Sequence, residues 1–300
     1  MYTEHLRIPV GAGSLHAERV GRGGHPVVLL HGFGTCSFLW RNLAPRLADR
    51  GYTVIALDLL GHGESDRPLE MSYGLAAQAE YVERALNALR LPAVSLLGQD
   101  IGGVVGLLLA SQRPRRVHRL AVMNPPDLEE LPGPEIRALQ RTSARAALSA
   151  NSLFGALTLL GPLLRAGVAN PDSMTDRLVA RYLAPWVGRE GVELLLQMAS
   201  AVELPEDERP WLAGVRSPVL AVRGDEDRWT TKDSVKRLIA GLTGAAVTLE
   251  TVPAAGWLIA EDAPVALLSL VTAWLAQSPP VSATAMSDAR RTSGAGQRNT

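Results

Sequence analysis

The stretch Val94–Gly106, VSLLGQDIGGVVG, decides the fold of this chain. Its apolar first half predicts a buried β-strand, and the apolar run Val104–Ser111 that follows has the length of a helix. Between the two, glycines flank a single acidic residue, Asp100. Flanking glycines permit the sharp strand-to-helix turn known as a nucleophile elbow, which lifts one side chain above the sheet. The sequence therefore predicts that Asp100 stands at the edge of a sheet.

Other strands are predicted on both sides of this one. Pro26–Leu30 and Thr53–Leu57 are apolar throughout, as is typical of the middle of a parallel sheet. The alternating segments Leu6–Val10 and Ser14–Val20 predict a β-hairpin. Helical spacing is predicted for Ser37–Arg50, Leu75–Leu89 and Pro264–Ala276, and further strands for Val117–Asn124, Ser217–Arg223 and Ala246–Val252.

Composition excludes several classes of protein. Lysine and arginine number 30 and so do aspartate and glutamate, so no overall field favours nucleic acid or an anionic membrane. Cys36 is the only cysteine, which excludes an internal disulfide and a zinc–thiolate cluster. No apolar run approaches the length that spans a membrane, and none forms a leader at the N-terminus. We expect a soluble, cytoplasmic protein.

Three motifs follow three successive predicted strands. HGFG at His31–Gly34 follows the first, DLLGHGESDRP at Asp58–Pro68 the second, and GQDIGG at Gly98–Gly103 the third. In this order they resemble the α/β-hydrolase fold, and the resemblance extends over about Leu6–Ala276. It implies an α/β architecture, with a mostly parallel twisted sheet flanked by helices and a helical cap inserted between two halves of the core.

The same resemblance sets the expected domain boundaries. The core comprises residues 1–127 and 213–276, and the cap comprises residues 128–212, where helical periodicity replaces strand signals. In the family such a cap covers the active site and decides which substrates fit. Residues 277–300 lack periodicity and are expected to be disordered. The predicted cap helices are Pro132–Ala150, Leu153–Gly167, Ser173–Tyr182 and Glu190–Val202.

Asp100 is the first candidate catalytic residue. A carboxylate at an elbow can attack an electrophilic carbon, forming an ester while it displaces halide or opens an epoxide. The branches of the fold that this resembles are the haloalkane dehalogenases and the epoxide hydrolases. The alternative is an aspartate that only caps the following helix.

The resemblance assigns roles to further residues. The backbone N–H groups of Phe33 and Ile101 would form an oxyanion site, or hold an oxygen of Asp100. Asp227, three residues after a glycine that ends a strand, would be the acidic member of a triad and orient a protonated histidine. His31 is either a structural residue at a strand end or the histidine nearest to the site.

The histidine of that triad is missing. It should follow Val252–Gly256, VPAAG, and position 257 is Trp257, whose side chain the family register directs toward Asp100. No shift of the alignment supplies a histidine, because the last of the six in the chain is His118. Without a base to activate water, an ester on Asp100 should persist, since losing such a base costs about 10²–10⁴-fold in rate.

Two more departures concern substrate contacts. Dehalogenases of this fold place tryptophan directly after the nucleophile to bind halide, and here that residue is Ile101. Epoxide hydrolases protonate the epoxide oxygen with two cap tyrosines, and Tyr182 is the only tyrosine between Leu128 and Leu212. We expect His31, Tyr182 and Trp257 to contact substrate.

Three hypotheses on function remain open. The first is an enzyme of secondary metabolism, acting on a small hydrophobic molecule, whose Asp100 is the acid or base in a non-hydrolytic cyclisation, isomerisation or elimination. The second is an epoxide hydrolase or other hydrolase with a replacement base. The third is a catalytically silent binding protein. The sequence contains no motif for a metal, nucleotide or flavin, so no cofactor is expected, and the oligomeric state stays open.

Overall fold

A computed structural model describes residues 3–150, 155–204 and 211–277. These residues form an eight-stranded sheet with the order β1-β2-β4-β3-β5-β6-β7-β8. β1 pairs antiparallel with β2 and β2 with β4, and all the other pairings are parallel. The strands are β1 Thr3–Pro9, β2 Ser14–Val20, β3 Pro26–Leu30, β4 Thr53–Leu57, β5 Val94–Gln99, β6 Val117–Met123, β7 Val219–Gly224 and β8 Val247–Val252.

The predicted α/β architecture, a mostly parallel sheet flanked by helices with further helices inserted between two halves of the core, is confirmed. β3 and β5 occupy the middle of the sheet, and their side chains are buried on both faces because helices cover both. Parallel strands bring their carboxyl ends to one edge of a sheet, and ligands bind at that edge. The segments that follow β3, β5, β6, β7 and β8 therefore meet there.

The helices of the core differ from the predictions in two places. The single helix predicted for Ser37–Arg50 is wrong: a 3₁₀ turn, Ser37–Trp40, precedes a separate short helix that has Pro45 in its first turn. Sequence periodicity also missed Lys232–Gly241, whose N-cap Thr231 accepts a hydrogen bond from the Ser234 N–H. The core helices are α1 Ala44–Ala48, α2 Leu75–Ala88, α3 Ile101–Gln112, α9 Lys232–Gly241, α10 Ile259–Asp262 and α11 Pro264–Leu275.

In the described residues between β6 and β7, five α-helices are inserted. The predicted helix Pro132–Ala150 is two helices, because the backbone is extended at Arg141 (φ −68°, ψ 141°). The segments 151–154 and 205–210 of the predicted cap, and the tail from residue 278 onward, lie outside the described residues. The inserted helices are α4 Pro134–Gln140, α5 Thr142–Ala150, α6 Gly155–Ala166, α7 Asp176–Leu183 and α8 Gly188–Ser200.

Among the described helices, none is by itself both long and apolar enough to cross a membrane. The adjacent helices α5 and α6 reach the required length and composition only as a pair, bent by 118°.

Candidate active site

The turn between β5 and α3 holds Asp100 in a strained backbone conformation, with φ 53° and ψ −125°. Such a conformation costs a non-glycine residue about 1–3 kcal/mol and persists only where the surrounding structure enforces it. Neighbouring glycines do so here. A Cβ on Gly98 would lie 2.3 Å from the carbonyl oxygen of Gly102, and a Cβ on Gly102 would lie 2.4 Å from the carbonyl oxygen of His31. The elbow can close only because both positions lack a side chain.

The segment after β3 packs directly on the Asp100 carboxyl. The backbone N–H of Phe33 donates to Asp100 Oδ2 at 2.9 Å, and a Cβ on Gly32 would lie 2.8 Å from the Asp100 Cβ. The backbone N–H of Ile101 is a second donor to the same carboxyl group. The two N–H groups that the sequence assigned to an oxyanion site therefore bind Asp100 itself in this structure. They fix its orientation and stabilise its charged form.

Burial nevertheless raises the pKa of Asp100 from its ordinary value to about 7. The hydrogen bonds from Phe33 and Ile101 act against burial, and the negative charges of Asp227 and Glu135 add to it. A carboxyl group with a pKa near neutrality exists in both protonation states at neutral pH. It can therefore either donate or accept a proton, which is the property of a general acid–base residue.

Asp100 opens onto a cavity of about 310 Å³ at the carboxyl edge of the sheet. Phe33, Ile101 and Trp257 line the cavity beside it, so four of the predicted site residues meet there. The cap supplies a largely apolar wall opposite them, formed by Leu131, Ile136, Leu139, Leu160, Leu163 and Leu164.

Trp257 is half-buried and packs against a second tryptophan of the cavity wall. Its ring meets that of Trp229 edge to face, with 5.2 Å between the ring centroids. Gly167, just after α6, lies against both rings, since a Cβ there would come within 2.9 Å of Trp257 and 3.2 Å of Trp229. The family resemblance placed an imidazole at position 257, beside Asp100. In the structure, packed aromatic rings border the cavity there.

The loop that carries Trp257 is held by two polar residues. Asn124, buried at the end of β6, donates to the carbonyl oxygens of Gly256 (2.9 Å) and Trp257 (2.8 Å). Asp262 accepts from the Gly256 N–H at 2.7 Å and also from the Ala169 N–H of the cap. The position of Trp257 therefore depends on a network that joins the core to the cap.

Asp227 lies behind this wall with one oxygen unsatisfied. Its Oδ1 accepts hydrogen bonds from the backbone N–H groups of Trp229 at 2.9 Å and Thr230 at 3.2 Å. Its Oδ2 is buried and has no hydrogen-bond partner among the described residues. Burial raises the pKa of this carboxyl group, against the hydrogen bonds that lower it. A buried carboxylate oxygen without a hydrogen-bond partner is an exception in folded proteins.

Two residues predicted to contact substrate do not line the cavity. His31 is fully buried; its Nδ1 bonds the Gly32 carbonyl oxygen at 2.8 Å and its Nε2 accepts from the Leu59 N–H at 3.0 Å. Both ring nitrogens are thus engaged, and the Nε2 bond joins the segments after β3 and β4. Tyr182 is also buried, and its hydroxyl bonds the Glu261 carboxylate, which forms an ion pair with Arg41. These placements correct the prediction: both are structural residues, because their polar atoms are already satisfied.

A family model described as the α/β hydrolase fold matches residues 25–264. The chain belongs to the α/β-hydrolase fold family.

Several proteins resemble this α/β hydrolase at moderate identity. A haloalkane dehalogenase of Mycolicibacterium paratuberculosis is 31% identical over 218 residues, which covers 68% of each chain. A 2-hydroxy-6-oxononadienedioate/2-hydroxy-6-oxononatrienedioate hydrolase of Paraburkholderia xenovorans is 28% identical over 258 residues, covering 81% of this chain and 85% of that protein. The crystal structure of Cfl2 from Burkholderia cenocepacia is similar with a TM-score of 0.79 and 28% identity, covering 90% of this chain and 95% of that chain.

Sequence reasoning missed several residues of this α/β hydrolase that border or support the site. Trp229, Asn124 and Asp262 each sit just beyond a recognised strand or motif, so the expected meeting of strand ends could have indicated them. Glu135 and Gly167 carried no signal of this kind, because they belong to the cap and reach the site only through its packing on the core.

Proposed function

We propose that this α/β hydrolase acts on a small hydrophobic molecule through Asp100, in a reaction that uses no hydrolytic water. The reaction class is a cyclisation, isomerisation or elimination in which Asp100 moves a proton. One observation carries the proposal: Asp100 faces a largely apolar cavity whose described wall contains no imidazole. Such a cavity provides a general acid–base group at Asp100 and lacks a histidine that could activate water.

The properties of the candidate replacement bases support this proposal. Both nitrogens of His31 are engaged in hydrogen bonds, and burial lowers the pKa of its ring. An indole has no basic nitrogen, so Trp257 cannot deprotonate water. Asp227 does not line the cavity, and the tryptophan pair and Thr230 form the wall in front of it. Hydrolysis of an ester on Asp100 would therefore proceed without help from a histidine base.

A ring closure illustrates the proton balance. In the protonated state, the Asp100 O–H donates a proton to the oxygen of an epoxide as its C–O bond breaks. A hydroxyl group of the same molecule attacks the carbon and forms the new C–O bond, and its proton passes to the Asp100 carboxylate. Asp100 ends in its initial state, and no water or co-reactant is consumed. The backbone N–H groups of Phe33 and Ile101 stabilise the carboxylate that exists between the two transfers.

A second candidate function is favoured by the elbow geometry and by the similarity to a haloalkane dehalogenase. In this reaction Asp100 attacks carbon, halide or an epoxide oxygen leaves, and an alkyl ester forms on the enzyme. Because the described cavity wall contains no imidazole, that ester would accumulate. A binding protein without chemistry is the remaining alternative, and it would require neither the strained elbow nor a carboxyl group titrating near neutrality.

Intact-protein mass spectrometry separates these functions. Wild type, Asp100→Asn and the exposed control Glu250→Gln are incubated with alkyl halides, epoxides and hydroxy-epoxides, and small-molecule products are analysed in parallel. Unadducted protein with cyclised or isomerised product, lost only in Asp100→Asn, is the expected result. A stable adduct that depends on Asp100 supports the nucleophile, and diols or alcohols formed at a catalytic rate contradict the non-hydrolytic proposal. No adduct and no product leaves the silent binder as the better account.

A further inference from the structure

The cavity wall carries more acidic than basic side chains. The wall carries the carboxyl groups of Asp100, Asp127, Glu130 and Glu135, and Arg228 is its only cation among the described residues. Of these carboxylates only Asp127 has an ion-pair partner in the described chain, which is Arg237. The chain as a whole has equal numbers of acidic and basic residues, so this local excess does not follow from composition. Negative charge is concentrated around the cavity.

Part of this charge acts at the inner end of the cavity. Glu135 and Asp227 each raise the pKa of Asp100, so their charges are felt at its carboxyl group across weakly polar surroundings. Asp227 in addition has its buried Oδ2 without a partner in the described chain. Asp227 lies behind the cavity wall and is also close to the positive charge of Arg223, so a cation in the cavity would act on Asp100 and Glu135 rather than on that oxygen. Such a cation would favour the ionised form of Asp100.

The aromatic residues of the same cavity provide a second, independent feature. Phe33, Trp229 and Trp257 line it. The indole rings of Trp229 and Trp257 pack edge to face, so the edge of one ring meets the face of the other. Aromatic faces attract cations, and tryptophan does so most strongly. In the described chain, no arginine or lysine lies over these three rings; the cation–π contacts that exist involve Phe38, Tyr81 and Trp274.

The positive charge of Arg228 offsets only part of the negative charge of the cavity wall. Its side chain is exposed, and it has no ion-pair partner among the described residues. An anionic ligand could pair with Arg228, but it would also meet the uncompensated carboxylates of Glu130 and Glu135. One guanidinium against several carboxylates leaves an excess of negative charge, and the charge balance therefore favours a positively charged ligand.

We propose that the substrate of this site is a hydrophobic ammonium ion, meaning a protonated or quaternary amine on an apolar skeleton. The inference rests on the proposed function, because it names the substrate class of the same cavity. The leucines of the cap contact the apolar skeleton, and the ammonium group lies between the Asp100–Glu135 carboxyl groups and the tryptophan faces. At about 310 Å³ the cavity suits a small molecule rather than a polymer.

A bound ammonium ion also changes the direction of proton transfer at Asp100. A nearby positive charge favours the ionised carboxylate, so the pKa of Asp100 falls when the ligand binds. Asp100 then acts as the base in the complex. Since binding is coupled to this ionisation, the affinity for the ammonium ion rises with pH through neutrality. The charged groups that share the cavity wall with Asp100 are Glu135, Glu130, Asp127 and Arg228, Asp227 acts from behind that wall, and the described wall contains no histidine.

Three probes with one skeleton test the proposal. Isothermal titration calorimetry at pH 8 compares 1-naphthylmethylamine, 1-naphthylmethanol and 1-naphthoate on the full-length protein. We expect the amine to bind about 10-fold more tightly than the alcohol, and the carboxylate to bind most weakly, since one favourable charge contact is worth about 1 kcal/mol or more. Glu135→Gln weakens amine binding about 5-fold and leaves alcohol binding unchanged. The matched control Glu250→Gln, which removes an exposed charge from β8 outside the cavity wall, changes neither.

Opposite outcomes overturn the proposal. Equal affinities for amine and alcohol do so, as does the absence of measurable amine binding at millimolar concentration. Tightest binding of the carboxylate, lost in Arg228→Gln, assigns the cavity to anions instead. The test is independent of turnover. An amine preference without any Asp100-dependent chemistry contradicts the proposed function and leaves the cation site standing, whereas Asp100-dependent chemistry without an amine preference contradicts only the substrate class.

Discussion

The two loops that meet at the cavity differ in how far they keep the arrangement of their family. At the elbow, backbone strain, flanking glycines and the Phe33 N–H all serve to present Asp100. In the loop after β8, the backbone is held as firmly, by Asn124 and Asp262, but it presents Trp257 rather than a histidine. One loop therefore presents a carboxyl group to the cavity, while the other presents an indole ring.

This contrast shows that a scaffold and its chemistry can separate at one residue. The supports of the second loop are intact, and the Asp227 carboxylate still points an unpartnered oxygen into buried space of the described chain. What differs is the group between Asp227 and Asp100. Burial of Asp100 raises its pKa, and the negative charge of Asp227 adds to this effect.

The largest expected effect tests the rigidity of the elbow. In Gly102→Ala the new Cβ would lie 2.4 Å and 2.6 Å from the backbone oxygens of His31 and Leu30, atoms that cannot move without disturbing the sheet. We expect a loss of more than about 4 kcal/mol in the free energy of unfolding, measured by urea denaturation. Gly74→Ala is the control, since its φ is −62° and its nearest neighbour lies at 3.5 Å. Similar stability of the two variants would show that the elbow is not under this constraint.

Trp257→His tests whether the second loop keeps the geometry of the lost triad. An imidazole there could bond Asp227 Oδ2 and reach a water beside Asp100. We expect hydrolysis of epoxides or alkyl halides to rise about 10²–10⁴-fold over wild type, as is typical when a general base is supplied. Product formation is followed by mass spectrometry. Trp257→Phe, which opens similar space without a base, should stay at the wild-type level, and an equal gain in both variants would assign the effect to space alone.

The pKa of Asp100 predicts a pH-dependent difference in stability. Because the folded-state pKa is about 7 and the ordinary value is 3.8, the folded protein binds the extra proton between these values, and stability falls as pH rises through that window. Asp100→Asn mimics the protonated form. We expect it to match wild type near pH 4 and to be more stable by about 4 kcal/mol at pH 8.

Thermal or urea unfolding at both pH values measures this difference. The exposed variant Asp225→Asn is the control and should show no such change between the two conditions. A constant difference between Asp100→Asn and wild type across the range would mean that Asp100 does not titrate within it.

The smallest effect concerns the support of the Trp257 loop. Asn124→Ala removes two hydrogen bonds donated to Gly256 and Trp257 and one accepted from the Gly224 N–H. We expect a loss of about 2 kcal/mol in unfolding free energy, together with an altered tryptophan fluorescence spectrum. Asn87→Ala, which removes one exposed hydrogen bond on α2, should be nearly neutral. An unchanged spectrum in Asn124→Ala would show that Trp257 is positioned by packing alone.

Much of the fold was predictable because its signals are local. Apolar runs located the central strands of the sheet, and the flanking glycines of Asp100, set between a predicted strand and a predicted helix, identified the elbow. The errors were local as well: Pro45 and the extended Arg141 each divided a helix that periodicity had joined. Within the site, Phe33, Ile101, Asp100 and Trp257 were expected to meet, since all four follow strands of one parallel sheet.

The sequence by itself determined that this α/β hydrolase has no histidine after His118, and so no imidazole in the usual place of the triad. Only the tertiary structure decided which groups surround Asp100 in place of that imidazole. The pKa of Asp100, the commitment of both His31 nitrogens and the approach of Glu135 depend on burial and on contacts between segments distant in sequence. Electrostatic interactions act through space and depend on the surrounding dielectric, so no local pattern of residues encodes them.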